Sequence, residues 1–254
     1  MFRYLRIAIL LTILAVVAGQ QFLTESRFNS WEKQLWVTIY PVLISPDSDI
    51  QRYTGRLNAA SFQPIVNFIS QQASRYGREL ERPVIIQVAR PMTSLPPALP
   101  VESSGLGVAL WSLKMRWWVW NNSGQDGLAP EDIRMYVLYQ KSPSAGTMER
   151  SVGVQNGSYG VVNAVASRQM AARNRMVITH ELLHILGATD KYDLSNGQPT
   201  NPDGLANPGL RPLFPQSKAE IMAGRIASSA NVWRNAASLK FCVIGAGTAA
   251  EIGW

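Results

Sequence analysis

The chain has 254 residues and a formal charge of +7, with 46% of its residues hydrophobic and 16% charged, a balance that excludes intrinsic disorder and leaves enough apolar surface for a core. Its single cysteine, Cys242, excludes an intramolecular disulfide and a thiolate metal site, and the apolar stretch from Leu239 to Ile244 suits a buried, inert thiol. The arginines, among them Arg52, Arg56, Arg75, Arg78, Arg82, Arg168, Arg173 and Arg175, are scattered and form no stripe with aromatic residues, which argues against nucleic acid as a partner.

At the start, Arg3 and Arg6 accompany an apolar run from Leu5 to Ala18 that breaks at Gly19-Gln20-Gln21. That is the pattern of an export signal, so residues 1–20 are expected to be a signal peptide or a membrane anchor, placing the rest of the chain outside the cytoplasm: secreted, periplasmic or attached to a membrane. The run is shorter than the roughly 20 apolar residues of a spanning helix, and Val16-Val17-Ala18 offers small residues for cleavage, which favours removal. Residues 21–254 are expected to form one domain, with a sheet and helix part over about 31–190 and an irregular part over about 191–254.

Trp36 to Ile44 is rich in aromatic and β-branched residues and ends in the turn residues Ser45-Pro46-Asp47, which predicts a strand. Between Ser61 and Tyr76 apolar residues recur at Phe62, Ile65, Val66, Ile69 and Ala73, a helical period with Ser61 as N-cap and Gly77 past the end. Pro83 to Ala89 reads as a strand buried on both faces, so strand, helix and strand form a parallel unit and the fold class is α/β or α+β with a mixed sheet. Pro91 to Pro100 is irregular. Leu106 to Trp120 carries Trp111, Trp117, Trp118 and Trp120; its periodicity does not separate helix from strand, and core packing is favoured over an aromatic ligand surface. Ile133 to Tyr139 is a strand, and Val152 to Ala166 is two short strands or a hairpin around Asn156-Gly157.

Arg175 to Ala188 is an apolar helix ended by Gly187, and it holds both histidines of the protein, in His180-Glu181-Leu182-Leu183-His184. Residues four apart share a helix face, so His180 and His184 can act as neighbouring ligands of a tetrahedral zinc ion, while Glu181 points about 100° away and can reach a water on that ion. Two imidazoles and a carboxylate on an otherwise apolar helix are costly to bury unless a cation gathers them. With no third histidine, the remaining protein ligand must be a carboxylate or be missing; Asp190 is the first candidate, because Gly187 can turn the chain back toward the metal, with Asp193 and Glu220 as alternatives.

Over Thr179 to Asp190 the sequence resembles the metzincin clan of zinc peptidases, whose motif HExxHxxG is followed at the third residue after Gly by a His or, in some members, an Asp. His180, Glu181, His184, Gly187 and Asp190 match the Asp version. The resemblance implies a metzincin-like fold, in which a twisted sheet with helices precedes the active-site helix and an edge strand lines the substrate cleft. It also implies a methionine turn beneath the zinc, for which Met222 in Glu220-Ile221-Met222-Ala223-Gly224 is the candidate. The gluzincins, which use a downstream Glu, compete through Glu220.

The expected activity is therefore zinc-dependent hydrolysis of peptide bonds in a protein or peptide substrate, with Glu181 activating the zinc-bound water. Tyr192 is a candidate oxyanion donor, and Lys191 and Asp193 are either groups that orient a ligand or the start of a loop that runs on to Pro215. The alternative is a catalytically idle binding protein of the cell envelope, which Glu181 argues against because that residue serves only water activation. A hydrolase of small molecules would use the same residues.

Overall fold

The computed structural model describes residues 27–98, 105–125, 127–142, 152–154 and 158–254, together with Tyr4 and Thr12. The segment expected to direct export, residues 1–20, otherwise lies outside them, as does the expected Asn156-Gly157 turn. No helix among the described residues is long and apolar enough to cross a membrane.

The chain opens into strand β1 (Leu35–Leu43), then helices α1 (Ser48–Thr54) and α2 (Ala59–Arg75), then β2 (Val84–Val88). Helix α3 (Gly105–Asn121) leads to β3 (Ile133–Gln140), β4 (Val152–Val154) and β5 (Tyr159–Val165), and α4 (Ala171–Ile185) follows. The five strands form one sheet in the order β2-β1-β3-β5-β4, parallel except for β4, which runs antiparallel to β5 at the edge. The parallel unit expected from the sequence is thus present, with β1 and β2 in register from Leu35 opposite Val84.

Alternation along the strands sorts side chains onto the two faces of this sheet. Val37, Ile39, Ile133, Met135, Val137 and Val162 face α2 and α4 in the main core. Tyr40, Val42, Tyr136 and Tyr159 face α3 on the other side. Each fully buried aliphatic side chain contributes about 1.5–3 kcal/mol of transfer free energy. The N-cap of helix α2 lies three residues before the expected one. Asn58 is the N-cap, and Ser61 at N3 completes a reciprocal pair of hydrogen bonds with it, because a serine can serve a capping box from N3 as well as from the cap itself.

The tryptophan-rich segment is helix α3, and only part of it is core. Trp118 is buried edge-on against Tyr136, with ring centroids 4.6 Å apart, whereas Trp117 and Trp120 are 67% and 76% exposed. The segment is apolar on all sides, so no periodicity could mark which rings face the sheet.

After α4 the expected irregular part contains order of its own. Strands β6 (Ala219–Glu220), β7 (Arg225–Ala227), β8 (Trp233–Asn235) and β9 (Cys242–Val243) make a second sheet in the order β8-β7-β6-β9, and helix α5 (Ala246–Glu251) closes the chain. Strands of two or three residues carry no readable alternation, which is why the sequence reads there only as an irregular part. Cys242 is buried and its thiol is pushed up to about 12, chiefly by burial. Trp31 joins the two ends of the domain, its indole N–H donating to the Ile252 carbonyl at 2.6 Å.

Candidate metal centre

Helix α4 starts at Ala171, four residues before the expected boundary, and is tied to the sheet by buried Asn174, whose amide donates to the Val165 carbonyl at 2.8 Å and whose oxygen accepts from the Val165 N–H. Its apolar residues Ile178, Leu182, Leu183 and Ile185 pack into the main core. His180 and His184 therefore sit on the remaining face, 16% and 20% exposed. The helix ends in a Schellman arrangement: Gly187, at φ 108°, donates to the His184 carbonyl, and Ala188 donates to the Leu183 carbonyl. A side chain would be strained at that φ, so glycine is what allows the chain to double back.

The reversal brings Asp190 to the histidines. Its Oδ1 lies 3.2 Å from Nε2 of both His180 and His184, and the two Nε2 atoms are 3.1 Å apart. Each imidazole has its other nitrogen engaged with a backbone carbonyl. His180 Nδ1 meets Ile221 O at 3.0 Å, and His184 Nδ1 meets Ala188 O at 2.8 Å. A carbonyl can only accept, so both Nδ1 atoms carry the proton and both Nε2 atoms turn lone pairs toward Asp190. Burial raises the Asp190 carboxyl, but when the two rings are protonated their Nε2–H groups donate to it, which outweighs burial and holds the group well below the usual carboxylate range.

These three atoms fit a zinc ion. Ligands about 2.0–2.1 Å from a tetrahedral centre stand roughly 3.3 Å from one another, close to the 3.1 and 3.2 Å seen here. A single proton between them could satisfy one pair, whereas a divalent cation satisfies all three. Burial lowers the His184 imidazole, but its hydrogen bonds to Asp190 and to the Ala188 carbonyl, with the charges of buried Glu181 and of Asp190, outweigh that and raise it above its ordinary value.

Supports surround the cluster. Glu251 accepts from the Thr189 amide and hydroxyl at 2.9 and 2.7 Å and pairs with Lys191 at 2.5 Å, so Asp190 is held on both flanks. Neither Thr189 nor Glu251 stands out in the sequence; their role depends on α5 folding back 60 residues later. Lys191 is thus buried and bracing rather than the start of a loose loop, and its N–H donates to the Met222 carbonyl at 3.2 Å. Met222 is buried in the turn between β6 and β7, the same turn whose Ile221 carbonyl holds His180.

The alternative ligands are engaged elsewhere. Glu220 is fully buried, and its carboxylate accepts from the N–H groups of Met222, Ala223 and Gly245 and from the Thr248 hydroxyl. It braces the turn instead of facing the histidines. Asp193 is exposed and accepts from the amide and hydroxyl of Ser195, a local turn. Tyr192 carries the Arg225 guanidinium over its ring at 4.0 Å.

No family model and no curated protein matches this chain. Among solved structures it is similar to a chain in one described as a chaperone-substrate complex, at 14% identity and a TM-score of 0.38, covering 87% of this chain and 34% of that one. It is also similar to wild-type OgpA from Akkermansia muciniphila, at 12% identity and a TM-score of 0.36, covering 87% of this chain and 60% of that one. The chain thus spans about one third and three fifths of the lengths of these two.

Proposed function

We propose that this chain is a zinc-dependent peptidase of metzincin-like architecture, acting outside the cytoplasm. The reading is carried by one observation: three lone-pair atoms, two Nε2 and one carboxylate oxygen, converge at 3.1–3.2 Å with both imidazoles oriented by backbone carbonyls. All three side chains retain partial exposure, which suits a site with a position open to substrate rather than a closed structural one.

A zinc ion would be held by His180, His184 and Asp190 and would supply Lewis acidity for a peptide carbonyl and for water. Glu181 is the general base. It lies one residue from His180 and about 100° around the helix, in a buried position. The Ile221 and Ala188 carbonyls keep both rings in one tautomer through turnover. Among the described residues β4 is the last strand of the sheet and runs antiparallel to β5, and this is the edge along which an extended peptide would pair. The turn carrying Met222 beneath His180 supports the same architecture. Residues 1–20 act as the export segment.

The test is metal content and cleavage of a denatured protein by the purified full chain, alongside Glu181→Gln. The expected result is about one zinc per chain in both proteins, with cleavage reduced by about two to four orders of magnitude in the variant. Zinc without cleavage in either protein would favour a binding module, and a chain that takes up no zinc would end the proposal.

A further inference from the structure

The arginines that look scattered in the sequence are gathered by the fold. Arg52 in the last turn of α1, Arg56 just past it, Arg168 after β5 and Arg175 in the first turns of α4 all line one cavity of about 580 Å³, together with Tyr53 and Tyr139. Asp49 is the one carboxylate among its lining residues, so four guanidinium groups against one carboxylate leave a net charge of +3. Asp49 is itself occupied by Arg52 at 2.9 Å. Among the described residues neither Arg56 nor Arg168 pairs with a carboxylate. Arg52, Arg56 and Arg168 are exposed and Arg175 donates to the Ser61 carbonyl at 3.2 Å; guanidinium forks match the oxygens of a phosphate in pairs.

The position of the cavity in the sheet is an independent observation. From β1 the chain moves to β2 on one side, then returns through α3 to β3 on the other side of β1. The order reverses between β1 and β3, and in open α/β sheets the crevice outside the carboxyl ends of the strands at such a reversal is where ligands bind. The cavity is there: Tyr139 lies at the end of β3, Arg168 follows β5, and α1 follows β1. Its volume matches that of small-molecule sites. The Tyr53 and Tyr139 rings, 5.5 Å apart and tilted by 56°, supply an apolar floor for the body of a ligand.

We infer that this cavity binds a small phosphate ester, the phosphate held by Arg56 and Arg168 with Arg52 and Arg175 beside them, and the organic part resting on the tyrosines. The site is separate from the metal centre. Arg175 and His180 share α4 but stand five residues apart, about 7.5 Å of helix rise, and the cluster lies toward the other end. The inference does not depend on the peptidase reading.

Calorimetric titration of the full chain with phenyl phosphate tests it. Saturable, salt-weakened binding is expected, with affinity reduced about tenfold by Arg56→Gln or Arg168→Gln and about a hundredfold by both together. Arg173→Gln removes the same charge from α4 outside the cavity and is expected to leave the affinity unchanged, as is His184→Ala. Absence of saturation by about 10 mM, equal binding by the double variant, or equal loss in Arg173→Gln would overturn the site. Loss in His184→Ala with retention in the double variant would move the phosphate to the metal centre and overturn it as well.

Discussion

Asp190 is the residue on which the candidate site turns, and its assignment is the most direct to test. The local spacing already singled it out, because Gly187 ends the helix and three more residues suffice to return a carboxylate to the histidine face. What the sequence leaves open among Asp190, Asp193 and Glu220 is a question of where each side chain spends its hydrogen bonds, and that depends on partners as remote as Thr248. Asp190→Ala is expected to weaken zinc binding by at least about a hundredfold, as judged by competition with a chelator. Asp193→Ala should leave it unchanged. Equal losses in the two variants would count against the geometry described here. The neighbouring clamp has a pH signature of its own. Burial raises the Glu251 carboxyl, but Lys191 and the amide and hydroxyl of Thr189 outweigh it and hold the group below its ordinary value of 4.5. A carboxyl depressed by folding stabilises the fold fully above its unfolded value, and the contribution fades as the pH falls through the folded one. Glu251→Gln is therefore expected to cost roughly 0.5–1 kcal/mol at pH 7, a figure reduced for partial exposure, and progressively less below pH 4.5. Thermal melts at pH 7 and pH 3 measure both arms, and an undiminished difference at pH 3 would rule out the clamp.

Elements differ in how plainly they announce themselves. The strand, helix, strand unit of β1, α2 and β2 is readable because each piece is long enough to show its own period and is bounded by turn residues. Helix α3 is not, since an apolar helix without a polar stripe looks the same from every side, and of its tryptophans Trp118 is the one buried among the tyrosines of the sheet. The consequence is a sharp contrast between adjacent tryptophans. Trp118→Ala is expected to cost about 3–5 kcal/mol in urea or guanidinium unfolding. Trp117→Ser, made at a ring 67% exposed, should stay within about 0.5 kcal/mol of the parent. Comparable losses in the two would mean that α3 packs by a different face. The small sheet of β6 to β9 is illegible for the opposite reason. Its pairing comes from Arg225 meeting Asn235 and Glu220 meeting Val243, residues that no periodic rule connects.

At the scale of the whole molecule, the candidate centre lies where the sheet and helix part meets the C-terminal part. His180 and His184 belong to α4, Asp190 to the chain just beyond it, and the Ile221 carbonyl to the small sheet. A cation bound to the three side chains therefore ties the turn after α4 back onto that helix, and through His180 it also fixes the turn that Glu220 braces. Ligation stabilises the folded state by an amount set by the ratio of free metal to its dissociation constant, about 4 kcal/mol at a thousandfold excess. That stabilisation should not be spread evenly. The strands β1 and β3 are buried on both faces by apolar side chains that owe nothing to the metal. Lys191 N–H to Met222 O at 3.2 Å and the Glu220 turn lie next to it. Hydrogen exchange on the full chain with zinc and after chelation is expected to show faster exchange at residues 187–192 and 220–224 when the metal is removed, with β1 and β3 unchanged. Acceleration across the whole chain would mean that the metal supports global folding, and no change at either segment would mean that the three side chains hold no ion in solution.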